Sequence, residues 1–249
     1  MNPASRLLQL LQEMDNGNGN VSVTERWQQV LKIDPELPSA AEDAIEGMRA
    51  ALSEVRALEQ QLARRNLPSD LFAPTAKVLR QCLAPQNTGS AWKDVGLPTR
   101  EGQHKMCLKW ASWTLSDSEE EQISDEMLSE LSVRISQHAD FVAAAQLPAR
   151  LRTLLEGQIE ALRSALRFYS LRGAGPLRDA VNKSVGELRT AASDLVEETV
   201  QSGREAKKAV LDASQLLGKA AEAADKGSKL FKFSKEVLEI GSTVWKAIN

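Results

Sequence analysis

The chain has 249 residues, room for one or two domains whose core needs no covalent staples, and a net charge of -3 leaves no electrostatic footprint for nucleic acid. Aromatics are only 4% with one tyrosine, which speaks against a β-sandwich or barrel, and two cysteines exclude a disulfide framework and fit a reducing cytosol. The longest stretch without Asp, Glu, Lys or Arg, residues 81–92, is too short to cross a bilayer, and the leucine cluster holding Gln9 and Gln12 does not read as a secretory signal.

Helical periodicity runs through the chain. Pro3 stands where a first-turn proline belongs, with Leu7, Leu10, Leu11 and Met14 following at i, i+3, i+4 and i+7. The Asn/Gly run at 16–20 stops that helix. A short helix is expected from Thr24, with Trp27, Val30 and Leu31 on one face and Asp34-Pro35 as its end. Ser39 and Glu42 have the spacing of a capping box and open a long helix striped by Ile45, Met48, Leu52, Val55, Leu58 and Leu62. Pro74 starts another, carrying Val78, Leu79, Cys82 and Leu83.

From 84 to 103 no period appears, and a structureless stretch of that length inside a domain is either functional or partly mobile. Residues 106–115 fit a helix through Met106, Trp110 and Trp113, or a strand through Met106, Leu108 and Trp110; the helix is preferred. Trp92, Trp110 and Trp113 flank the irregular stretch, and they read either as core packing or as an aromatic recognition surface. Three helices follow, one over about 124–145, one from Pro148, and one after the break at Gly173-Ala174-Gly175-Pro176.

The C-terminal part carries the clearest pattern. Over residues 202–248 a heptad register puts Val210, Leu217, Phe231, Leu238 and Trp245 at position a, and Leu216, Leu230, Val237 and Val244 at position g. Position d is nearly all small, from Ala206 and Ala213 to Gly241, and ends at Ile248. No a, d or g residue of this segment is charged. A straight helix from 177 to the end would measure about 110 Å at about 1.5 Å per residue, so the chain is expected to fold back, with Ser202-Gly203 and Gly227-Ser228 as break points. The stripe then either packs on the chain's own helices or pairs with a second copy or another helical protein. Lys226, Lys229, Lys232 and Lys235 fall outside the stripe, which with Trp245 also matches an interfacial amphipathic helix at an anionic membrane surface.

Residues 159–188, a helix, a Gly-rich turn and a helix, resemble a pattern found in uncharacterised bacterial all-helical proteins. The resemblance covers a small part of the chain, implies a bacterial cytosolic protein and carries no activity over. No phosphate loop, zinc-protease or nucleophile-elbow motif is present. Cys82, His104, Cys107 and His138 have the residue types of a zinc site, and Cys107 with a histidine those of an activated thiol, but no spacing forces either together.

The sequence therefore predicts an all-α protein: a mixed helical domain over 1–175 with the irregular segment 84–103, then a heptad-patterned helix or helical hairpin over 176–249. The expected function is a non-enzymatic interaction protein, without cofactor, whose C-terminal segment mediates self-assembly or partner binding in the cytoplasm. The alternative is a bacterial toxin or phage-defence effector whose Lys-rich C-terminal helix acts peripherally on the inner membrane.

Overall fold

Pro3 starts the first helix, and Asn2 and Ser5 cap it as a matched pair. The Asn2 carboxamide accepts the Ser5 N–H at 3.0 Å and the Ser5 hydroxyl accepts the Asn2 N–H at 3.0 Å, so orphan donors at the helix start are satisfied reciprocally. The computed structural model describes residues 1–118, 122–202 and 204–224, and for 191–202 it describes the backbone. Among the described residues there are helices and no strand, so the protein is all-α. The single extended pairing among the described residues is an isolated antiparallel bridge between Ser22 and Ala91.

The chain divides into two compact units, Met1–Glu120 with Ser170–Gly173, and Glu121–Tyr169 with Ala174–Asn249. The sequence reading sets its boundary at 175 instead. The difference has a packing cause: the two helices after residue 121 supply the apolar faces on which the later helices close.

The first unit holds α1 (Pro3–Asp15), α2 (Val23–Val30), α3 (Ala40–Arg64), α4 (Ala73–Cys82), α5 (Trp92–Val95) and α6 (Gly102–Thr114). The stripe Leu7, Leu10, Leu11 and Met14 of α1 is buried, together with Met48, Val55, Leu58 and Leu62 of α3. Gly47 lets α2 approach α3 closely, since a β-carbon there would meet Leu31 Cδ1 at 2.4 Å and the Trp27 ring at 3.1 Å. Arg26 reaches back from α2 to the end of α1, its Nε donating to the Met14 carbonyl at 2.8 Å and a second nitrogen to that of Glu13. A cation there satisfies orphan carbonyls and favours the negative end of the helix dipole.

One expected cap does not form. Ser39 already has helical backbone angles, so its hydroxyl makes no capping bond and donates to Asp43 Oδ2 at 3.2 Å. The box forms one helix earlier, where Ser22 and Glu25 cap α2 reciprocally at 3.1 and 2.9 Å. The segment 84–103 contains two short 3-10 turns and α5. It is tied to the loop before α2 by backbone bonds, Val23 N–H to Ser90 at 2.8 Å, Trp92 N–H to Val21 at 3.0 Å and Lys93 N–H to Gly19 at 2.9 Å. Those bonds supply the partners that a periodic element would have supplied.

The second unit is a four-helix bundle of α7 (Asp125–Ala144), α8 (Ala149–Arg167), α10 (Gly175–Ser202) and α11 (Arg204–Ala224); the one-turn α9 (Tyr169–Arg172) comes between α8 and α10 in sequence, and from Ser170 on it is grouped with the first unit. The expected break at Ser202-Gly203 falls between the end of α10 at Ser202 and the start of α11 at Arg204, with Gly203 itself outside the described residues. Contacts run α7 to α8, α8 to α10, α10 to α11 and α11 back to α7. Three bonds fix the directions. Tyr169 Oη accepts the Ile123 N–H at 2.7 Å, Glu205 accepts the Gln146 N–H at 2.7 Å, and Gln158 donates to the Ser184 carbonyl at 3.4 Å. Neighbouring helices are therefore antiparallel, an up-down-up-down bundle with short links. Its core is built from Leu131, Ile135, Leu151, Leu155, Ile159, Leu162, Val181, Val185, Val210 and Leu217, with the small residues of α11.

Candidate interaction surface

Helix α6 is apolar on two opposite sides. His104, Leu108, Ala111 and Leu115 recur at i, i+4, i+7 and i+11 and are all buried. On the other side, Met106, Trp110 and Trp113 recur at i, i+4 and i+7. Met106 is 66% exposed and Trp113 75% exposed, Trp110 is half-buried, and Lys109 stands exposed beside them. Leu71, also exposed, adjoins this side, because its carbonyl accepts the Cys107 thiol at 3.6 Å.

The helix is fastened along its length. His104 Nδ1 shares a hydrogen bond with the Thr75 hydroxyl of α4 at 3.0 Å. Asp15 at the end of α1 takes Arg100 at 3.2 Å and Lys105 at 3.4 Å. Asn2 donates to the Ser112 carbonyl at 2.9 Å, and Arg65 donates to the Thr114 carbonyl at 2.7 Å and to the Ser118 hydroxyl at 2.6 Å. Arg65 also pairs with Asp117, and that hydrogen bond holds the Asp117 carboxyl below its ordinary pKa. A helix held at both ends and along one side presents its free side without having to order it first.

The three tryptophans near the irregular segment thus separate. Trp92 is fully buried and belongs to the core, whereas Trp113 projects from α6. Val210, Leu216 and Leu217, expected to form an interaction stripe, are buried in the bundle against the chain's own helices. Phe231, Leu238, Trp245, Leu230, Val237, Val244 and Ile248, with Lys226, Lys229, Lys232 and Lys235, lie outside the described residues.

The considered zinc set is not brought together: among the described residues no group of three or more His, Cys, Asp or Glu side chains is placed to hold a metal ion. Cys82 is a buried thiol whose pKa burial pushes up to about 11, so it stays protonated and unreactive. No helix among the described residues is long and apolar enough to cross a membrane. Compared with known proteins, the chain matches no family model, no curated protein and no solved structure.

The α6 surface has a signal in the sequence. A helix that packs on one side needs one apolar stripe, and residues 104–115 carry two, half a turn apart.

Proposed function

We propose that this chain is a non-enzymatic helical interaction protein, and that the contact is made by the outward side of α6 with a second copy. The observation that supports this is the Met106–Trp110–Trp113 stripe, exposed at Met106 and Trp113 and half-buried at Trp110, on a helix whose opposite side is already buried. Large apolar side chains grouped on an anchored helix mark association sites more often than chance exposure.

A second copy is the occupant favoured by the order of residues along the stripe. A two-fold pairing places each residue against a partner that returns the same contact. Two α6 helices crossing antiparallel about the 109–110 peptide set Met106 of each against Trp113 of the other. The same crossing sets Lys109 of each against the ring of Trp110 of the other. Thioether–indole and ammonium–indole contacts are both attractive, so the stripe complements itself. One helix side buries less than the about 800 Å² per partner of a standard interface, and the pairing is accordingly weak and reversible. The described part of the heptad stripe, from 204 to 224, faces the bundle core and is not free for this role.

Sedimentation velocity over a concentration series is the test. The wild-type chain should shift from monomer toward dimer as concentration rises, while Trp113→Ser and Met106→Gln stay monomeric. Their melting should match wild type to within about 0.5 kcal/mol, because both side chains are exposed. A wild-type chain that is monomeric at every concentration, or a dimer indifferent to both exchanges, would refute this reading.

A further inference from the structure

The second unit carries a buried polar spot in an otherwise apolar layer. His138 of α7 faces Gln158, Ile159 and Leu162 of α8 and Ala213, Leu216 and Leu217 of α11, across a crevice too tight for a water molecule. His138 is 6% exposed and Gln158 3%. Among the described residues, neither ring nitrogen of His138 has a hydrogen-bond partner, and Gln158 Oε1 has none either. Gln158 uses its amide nitrogen on the Ser184 carbonyl of α10.

We propose that His138 is a proton-operated release for α11. A neutral imidazole fits the crevice as a flat, largely apolar ring. The imidazolium brings two N–H donors and a full charge to a described lining in which Gln158 Oε1 is the unpartnered side-chain acceptor, so at least one donor stays unsatisfied against leucine and isoleucine side chains. Acidification therefore loosens the α7–α11 contact and bares the uncharged stripe of α11, which includes Val210, Leu216 and Leu217.

The surrounding charges leave that balance in place. The α8 residues that face the ring do not titrate, and Ser184 of α10 offers only a hydroxyl and a carbonyl. Arg134, one turn earlier on α7, is paired with Glu130 at 2.8 Å. Asp212 of α11 is the described charge that acts on the ring, and it favours the protonated form. Burial outweighs it and holds the ring below its ordinary pKa of 6.5. Since the unfolded chain then binds the proton more readily, stability is complete above about pH 6.5 and falls as pH drops below it.

The full chain is unfolded with urea at pH 7.5 and 5.5, alongside His138→Gln and His138→Leu, and amide exchange of residues 204–224 is compared at matched pH. Wild type should lose more of its urea midpoint between the two pH values than either variant. Its α11 amides at pH 5.5 should be less protected than in His138→Gln, by up to about tenfold, the limit set by working one pH unit below 6.5. Asp212→Asn should deepen the acid loss by removing the charge that favours the imidazolium, an effect a merely space-filling histidine would not produce. The same acid loss in wild type and both His138 variants, or a ring proton signal that titrates at or above 6.5, would overturn the proposal.

Discussion

Arg6→Met is expected to destabilise the first unit by about 3–5 kcal/mol, because it removes the guanidinium paired with a buried carboxylate. Arg6 Nε and one terminal nitrogen both donate to Glu54 Oε2, at 3.0 and 2.8 Å, and the other terminal nitrogen donates to the Met1 carbonyl at 3.1 Å. The two side chains are 6% and 7% exposed, so the pair joins α1 to α3 inside the unit, away from water. Methionine fills the same space and keeps the apolar stem but offers no donor. Glu54 is then left as a buried charge without its guanidinium. The pair itself need not be a net source of stability, since desolvating two ions offsets much of their attraction. Arg6→Met combined with Glu54→Leu should therefore recover most of the loss. Chemical denaturation of the two single variants and the double variant measures this coupling. A single-variant loss below about 1 kcal/mol would show that the carboxylate finds another partner or reaches solvent.

That ion pair was not legible in the sequence, and the reason is general. Arg6 and Glu54 are far apart in the chain, each sits in an ordinary amphipathic helix, and no local pattern marks either as buried. What periodicity does encode came through: α1, α3, α4, α7 and α8 form where their apolar spacing and their prolines place them. The irregular segment 84–103 could not be resolved the same way, because the groups that order it are backbone amides and carbonyls of the 19–24 loop. At α6 the pattern was legible but ambiguous. Met106, Trp110 and Trp113 have helical spacing, yet spacing alone does not say which of two apolar sides faces the core. In α11 the uncharged a, d and g positions are buried as a stripe should be, and Ser214 and Ala221 at the next position are buried as well. Small residues there let two neighbouring helices close in, and their neutral polarity hid the extra width of the face.

The width of that face underlies the second large effect. Leu217→Asp should cost about 3–5 kcal/mol, because it removes a buried leucine and puts a carboxylate in its place without a donor. Leu217 is fully buried in the bundle core, next to Leu216 and opposite the α7 side that carries His138. The ordering of nearby positions gives the control. Gln215 of the same helix is exposed, and Gln215→Asp adds the same charge with little change in stability. Helicity, urea midpoint and sedimentation of the two variants separate the possible uses of the stripe. If 204–224 packs within its own bundle, Leu217→Asp lowers the urea midpoint at every protein concentration. If the stripe instead served association between copies, the loss would shrink on dilution, where wild type would be equally weakened. The Gln146–Glu205 bond at the end of α7 and the burial of Val210, Leu216 and Leu217 inside one chain favour the first outcome. A concentration-independent loss for Leu217→Asp, beside an unperturbed Gln215→Asp, would assign the stripe to folding and leave association to the outward side of α6.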